Sequence, residues 1–522
     1  MCNLRFVWLP AFLLGSFAAS AQDINEAYNL SNTTVQGTAR SMGFGNALGS
    51  VGGDFSSVSV NPAGLGIYRS SEFSFTPSLR INSASGQYEG STTSDNNTHA
   101  NINSFGMVFT YAPKGKRYEN SNWKAVSFAI GMNRLADFNQ NYTYQGVNST
   151  SSASLAFESD ANLNPGLVQG VVDPYGNYSP SNTLGYLGYN SYLLNQNAAG
   201  HYYSVVPSGP VNQMKSVQTN GGIDEYTISL GGNYREKLML GITLGIPVIN
   251  YNSNSDYQET LAAGNTSPNP YGFSSFDYNQ QLSLTGTGIN AKIGAIYKFS
   301  DNFRIGAAFH TPTYYSISDV YNPGISTVRT DSSATLTVAN GGTLQNQFDY
   351  HLTTPWKGVL SATFILKKLG FITADYEYVD YNTMRYNYGS GYDNNTGVPF
   401  QQEADAMNQQ IKNTYQAASN VRLGAEIKLS SYFMIRAGGG YYGNPYKSPG
   451  YSVQRTDLNG GLGFHFHHFF SDLGFVHSMY QTQQQPYSID YSGVVSASQA
   501  AIPVAKVNYS INNLALTVGV KF

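Results

Sequence analysis

Histidines, carboxylates and guanidinium groups are the side chains from which an active site is built, and along these 522 residues they are sparse. The densest histidine run is His465-Phe466-His467-His468. On a strand His465 and His467 share a face, a spacing at which two imidazoles could hold a metal or a haem iron. No Asp, Glu or Cys stands in the immediate run, so the pair is a weak metal candidate and an interfacial polar role suits it better. Gly43 and Gly45 open like a nucleotide loop, but Leu48 stands where G-x-G-x-x-G needs its third glycine, and no strand precedes it. No Ser/His/Asp, metallohydrolase or P-loop signature stands in a suitable context. The reading is therefore of a chain that is not an enzyme and carries no cofactor.

The remaining chemistry lies in isolated charges, Lys292, Lys298, Arg304, Asp375, Glu377, Arg422, Glu426 and Arg436. Each falls on the inward register of an alternating segment. Charges so placed must pair or meet water, so their bland role is a bracing network; the sharper one is capture of a substrate carboxylate by Arg304 or Arg436.

Only 11% of residues are charged while 14% are aromatic, against about 25% charged in soluble domains. The net charge of −3 gives no reason to expect nucleic acid. After residue 21 no apolar run approaches the roughly 20 residues of a membrane helix. What recurs is period 2. Leu238, Leu240, Ile242, Leu244 and Ile246 alternate with Met239, Gly241, Thr243 and Gly245, and Ile289, Ala291, Ile293, Ala295, Tyr297 and Phe299 alternate with Asn290, Lys292, Gly294 and Lys298. One face in lipid and one in a polar lumen produces this pattern. Strands are expected at 71–82, 102–112, 123–134, 222–234, 238–250, 281–299, 303–318, 348–366, 371–387, 417–429, 432–445, 453–468, 472–482 and 506–522. The fold class is all-β, an antiparallel transmembrane barrel of about 14 strands over residues 71–522.

Short connections at 235–237, 300–302, 367–370 and 430–431 belong to the periplasm, and long ones at 135–221, 251–280, 319–347, 388–416 and 483–505 to the cell exterior. The longest should carry structure of its own over the mouth. Arg5, the apolar stretch from Phe6 to Ala19 and Ala19-Ser20-Ala21 read as a signal peptide over residues 1–21. It takes Cys2, the single cysteine, with it. The last strand ends on Phe522, like the signal read by the outer-membrane assembly machinery of Gram-negative bacteria. Residues 22–70 do not alternate, and their many small residues suit a plug that packs closely against the wall.

Within that segment Asn61-Pro62-Ala63-Gly64, approached through Gly43, Gly45 and Gly49, resembles the NPA motif of the outer-membrane transport family of FadL, OmpP1 and TodX. Further stretches resemble the family in order: Arg304 to Pro312, Thr354-Pro355-Trp356, Asp375 to Tyr381 with Tyr381 replacing the usual Trp, and Arg436 to Tyr441 through Asn444-Pro445. The resemblance implies a fourteen-stranded barrel with an N-terminal hatch. It also implies uptake of hydrophobic small molecules, long-chain fatty acids or aromatics, caught by extracellular loops and released sideways beside a kinked third strand, where Gly131 is the candidate weak point. Asn61, Pro62, Ala63 and Gly64 would be the gating motif. Expected partners are the apolar ligand, outer-membrane lipid and the assembly machinery, around a monomer. Alternatives from other classes are a shuttle barrel of a protein secretion system, a haem receptor or a general porin. For a lipid-hydrolysing barrel a Ser/His pair must lie on the outer surface, and His310 falls on the inward register.

Overall fold

A computed structural model describes residues 24–172, 178–179, 183–330, 336–343, 346–392, 398–448 and 450–522. The segment read as a signal peptide lies outside the described residues. Fourteen antiparallel strands close into a barrel. They are β1 Glu72–Tyr88, β2 Ser91–Tyr111, β3 Trp123–Asp137, β4 Val211–Tyr234, β5 Leu238–Leu261, β6 Phe273–Lys298, β7 Phe303–His310 and Tyr314–Thr330, and β8 Asn346–Thr353 and Lys357–Ile365. They continue as β9 Gly370–Asp380 and Arg385–Asn387, β10 Ala417–Lys428, β11 Phe433–Tyr442, β12 Arg455–Phe466, β13 Phe469–Gln484 and β14 Ala505–Lys521. Each pairs with the next, and β14 closes on β1 with Phe73 opposite Val520.

Alternation sets the two faces. On β5, Leu240, Ile242 and Leu244 are 42%, 51% and 42% exposed, whereas Met239 and Thr243 are buried. The same outward apolar row recurs on β1, β3, β4, β6 and β14, a continuous belt that hydrocarbon solvates and water does not. Tight connections gather at one end. Arg235 and Glu236 both adopt positive φ, as a turn matching the twist of two antiparallel strands requires.

At the other end the strands run longer than the alternation predicts. β4 starts at Val211 instead of 222, β6 at Phe273 instead of 281, and β1 and β2 extend to a hairpin at Glu89-Gly90. These extensions lack an outward apolar row, so backbone pairing forms them without the hydrophobic signature of β5. Three expected strands are interrupted: β7 at Thr311-Pro312-Thr313, β8 at Thr354-Pro355-Trp356 and β9 at Tyr381–Thr383, a short 3-10 turn. Proline brings no N–H to the ladder, so Pro312 and Pro355 stop it. The connection after β3 is structured: Gln140–Asn148 pairs with β4, and the helix Ser154–Leu163 packs Phe157 on Phe276 and Tyr278. The carboxylate of Glu158 then accepts from the amides of Ser204, Val495 and Ser496 at 2.9, 2.7 and 2.8 Å, tying two loops together.

Residues 24–70 add no wall strand and lie inside the lumen. They form α1 (Ile24–Ser31), α2 (Ala39–Gly43) and two 3-10 turns, Phe55–Ser59 and Pro62–Ile67. Thr38, Asp54 and Asn61 cap the last three through side-chain oxygens that accept from Ser41, Ser56 and Ala63. Around them the wall presents glycine on strand after strand: Gly106, Gly131, Gly231, Gly241, Gly294, Gly306, Gly424, Gly438, Gly461 and Gly474. A Cβ on Gly241 would sit 2.2 Å from the Pro62 carbonyl, one on Gly306 2.2 Å from the Gly49 oxygen, and one on Gly424 2.1 Å from the Phe44 oxygen. The glycines are the space into which the lumenal segment fits. Gly241→Val should therefore destabilise the protein by about 1–3 kcal/mol, as overpacking does. It should unfold on heating in detergent below Gly460→Ala, whose added Cβ meets nothing within 4 Å. Equal unfolding temperatures would contradict this seating.

Candidate functional site

The inward charges are joined to the lumenal segment. Arg40 on α2 places Nε 3.1 Å from Glu426, which also accepts from Arg436 Nε at 2.8 Å, and Arg436 Nη1 reaches Asp472 at 2.7 Å. Arg436 and Asp472 are essentially sealed from solvent. Burial disfavours the charge of Arg40, but Glu426, Asp54 and Asp472 outweigh it and hold its pKa above the ordinary value. Arg304 donates to the Val51 carbonyl at 3.3 Å, and Asp375 accepts from the Gly49 amide at 3.0 Å. Arg422 lies between Asp375 at 3.8 Å and Glu377 at 3.4 Å. Lys292 pairs with Glu225, which accepts from Ser59 Oγ at 2.8 Å, and His310 Nε2 meets the Val60 carbonyl at 2.8 Å. Lys298 pairs instead with Asp301, its neighbour at the turn.

Asn61 is fully buried, donating to the Gly49 carbonyl at 2.6 Å and to the β6 and β7 carbonyls of Ala295 and Ala307 at 3.3 and 3.4 Å, while its Oδ1 caps Ala63. Pro62 and Ala63 lie against Gly241, and Gly64 against Ser57 and Gly52. Two expectations are corrected. Strand β12 ends at Phe466 and His467 lies in the following turn at positive φ, so His465 and His467 do not share a strand face. His465 instead points Nε2 towards Asp472 at 3.8 Å. Gly131 does not loosen the wall: it lies in unbroken ladders, opposite Gly106 and Thr227, and its missing side chain admits the ring of Phe55.

Towards the long loops a cavity of about 590 Å³ lies between the lumenal segment and the wall. Leu30, Val35, Leu135, Leu282 and Leu284 give it aliphatic surface, Tyr142, Tyr251, Tyr480 and Tyr509 amphipathic rings, and Arg80, Asp137 and Arg455 charge. Such a lining can enclose an apolar body and hydrogen-bond a polar end. The charges picked out from sequence are not on it. They lie at the level of the glycines, whereas the cavity draws on the lumenal segment, the β3 bend and wall positions such as Lys215, Val217, Gln280, Leu282, Tyr480 and Ile511.

The wall beside this cavity changes character at β3. Among the described residues the β2–β3 ladder runs from Tyr111 opposite Val126 to Ser104 opposite Asn133 and stops. Strand β3 shifts register between Arg134 and Ala136, and its continuation Gln140–Asn148 stays with β4 while passing behind β2. A Cβ on Gly86 would lie 2.2 Å from the Thr143 carbonyl, a measure of how closely the two layers overlap. Side chains replace the ladder. Asp137 faces His99 Nε2 at 3.2 Å and accepts from Asn101, and Asn97 donates to Asn141 at 3.2 Å. At this height Leu79 and Ile81 of β1 and Ile102 of β2 present apolar exterior surface.

No family model matches the sequence, and no curated protein does. Among solved structures the fold is similar to that of a Pseudomonas aeruginosa FadL homologue, at 10% identity and a TM-score of 0.51, over 94% of this chain and 99% of that one. It is also similar to the P. putida toluene transporter TodX, at 10% identity and a TM-score of 0.50, over 92% and 99% of the two chains. At such identity the likeness carries the fold: a barrel of this size with its N-terminal region inside.

The charge network has a direct test. Arg436→Ala leaves Glu426 and Asp472 buried with a partner removed, so it should cost about 3–5 kcal/mol. Heat denaturation in detergent should register it as a large fall in unfolding temperature, well beyond that of Lys298→Ala at the exposed turn. Matching falls would mean that the network does not brace the protein.

Proposed function

We propose that this chain is a Gram-negative outer-membrane transporter of the FadL type that passes hydrophobic small molecules from outside the cell into the membrane, without catalysis or cofactor. The observation that carries this reading is a cavity of about 590 Å³ with aliphatic and tyrosine lining that reaches Asp137 and Phe138, past the end of the β2–β3 ladder, while the N-terminal segment lies inside the lumen. Cargo held between residues 25–46 and the wall would find an axial exit filled by Asn61, Pro62, Ala63 and Gly64 and a lateral one where side-chain contacts replace the ladder between β2 and β3. Each CH2 returned to lipid gains about 0.8 kcal/mol, so an amphiphile with an alkyl chain favours the lateral exit. Loops would capture the ligand first, and the paired charges Arg304, Asp375, Glu377, Arg422, Glu426 and Arg436 would hold the hatch in place, leaving ligand contact to the cavity.

In this reading residues 1–21 direct export, residues 22–70 are the hatch, and residues 71–522 the barrel, inserted by assembly machinery that recognises the strand ending in Phe522. The protein works as a monomer, since each barrel holds its own cavity, hatch and seam.

A cysteine pair tests the route. Asn97 and Asn141 touch across the seam, and Cys2 is the only native cysteine. In the variant Asn97→Cys with Asn141→Cys, oxidation should stop uptake of a fluorescent dodecanoic acid analogue and reduction should restore it. Equal uptake by the oxidised and reduced forms would exclude the seam as the route. Deleting residues 22–60 should leave a heat-modifiable barrel with steady ion conductance in planar bilayers, where the whole protein conducts little. Equal conductance would mean that the segment does not block the lumen.

A further inference from the structure

We propose that Asp137, with His99 and Asn101 of β2, is the latch that holds the seam shut; this rests on the lateral route proposed above and names the groups that regulate it. Among the described residues, neighbouring strands elsewhere in the wall share backbone ladders, which no single side chain controls. At the seam base the connection passes through one carboxylate. Asp137 is sealed from solvent at the point where β3 turns inward, and it sits at the centre of donors from three directions. From β2 come His99 at 3.2 Å and Asn101; from β1 Arg80 at 4.0 Å; from its own strand and turn Arg134 at 3.7 Å and the Asn139 amide at 3.0 Å.

These contacts divide into two kinds. Arg134 and Asn139 shape the turn and stay with β3 whatever the seam does. His99 and Asn101 cross from β2, and Arg80 from β1 at a longer 4.0 Å, so opening the seam must break them. Asp137 also lines the cavity beside Phe138. A polar end of a cargo molecule entering there competes for the same carboxylate or for its donors. Occupancy of the cavity and release of the crossing contacts are thereby coupled through one side chain. Above this point the layers meet through Asn97 with Asn141 at 3.2 Å, Thr143 with Asp95 at 3.3 Å, Thr93 with the Thr143 carbonyl, and Tyr88 packed on Tyr144. The latch is at the bottom of the seam, level with Leu79 and Ile81, where escaping cargo first meets hydrocarbon.

The test separates the latch from the route. In full-length protein reconstituted in phosphatidylcholine vesicles containing a nitroxide-labelled lipid, a bimane on Phe138→Cys reports contact between cavity and bilayer. The double variant His99→Ala with Asn101→Ala keeps Asp137, Arg134 and the turn. It should raise bimane quenching and speed uptake of the fluorescent dodecanoic acid analogue on the order of tenfold, as loss of hydrogen bonds to a charged group allows. Should that variant fail to fold, Asp137→Asn, which keeps the shape and removes the charge, should give a smaller rise in both. Unchanged quenching and uptake, with the oxidised Asn97→Cys/Asn141→Cys protein still blocked, would overturn the latch and leave the lateral route standing. If the oxidised pair also transports freely, the route and the latch fall together.

Discussion

Backbone-to-backbone contact between the lumenal segment and the wall is the constraint on which the rest of the molecule depends. A plug held by side chains alone would leave the peptide groups of an irregular segment to find partners across a gap. Here the wall removes its own side chains at one height, and carbonyls of Phe44, Gly49 and Pro62 come against the strands. Buried peptide groups are costly unless paired, so close approach demands local hydrogen bonds. The caps at Thr38, Asp54 and Asn61 and the amide of Gly49 on Asp375 supply them. Charges follow from the same constraint: Arg40 can enter the lumen only because Glu426, Asp54 and Asp472 receive it.

With the hatch fixed this tightly, adaptability must lie elsewhere, and the wall shows where. From β4 round to β2 by way of β14, each strand shares a ladder with its neighbour. Between β2 and β3 they stay paired only below Ser104, and the edges above overlap. The bend that produces the overlap spans Arg134 to Asn139, one turn of chain above Gly131. Phe55 wedged against Gly131 and Gly106 holds the lower part of β3 to the wall, so the departure starts abruptly.

How much of this was legible in the sequence follows from what each part must satisfy. Lipid solvates one face of a strand and the lumen the other, so Leu240, Ile242 and Leu244 declare both the strand and its orientation. The extensions of β1, β2, β4 and β6 lack an outward apolar row, and nothing in their order separates strand from loop; the cavity was hidden because its lining joins the lumenal segment, the β3 bend and many separate strands. The inward charges could be placed because alternation gives their side, while their partners, Arg40 on the hatch foremost, required the fold. Gly131 shows the limit of reading one residue in isolation. A glycine in a strand signals weak pairing or close approach, and only Phe55 against it decides for the second. The repetition of glycine at inward positions of ten strands was the signal available in advance.

The breaks in β7, β8 and β9 have a consequence of their own. Below the first, Lys292 faces His310; above it, Ile289 faces Tyr314, so three steps along β6 match four along β7. Between β8 and β9, Lys357 faces Val379 and Thr353 faces Arg385, four steps against six. Each leftover residue lengthens one strand relative to its neighbour and bends it. Strand number and stagger normally fix a barrel's girth along its whole height. Here the stagger changes partway up, on the side away from the seam, and the mouth is released from the girth that the glycine ring imposes below. Variants of this architecture can therefore enlarge or narrow their opening, and remodel the loops it carries, while the fit of hatch to wall is preserved.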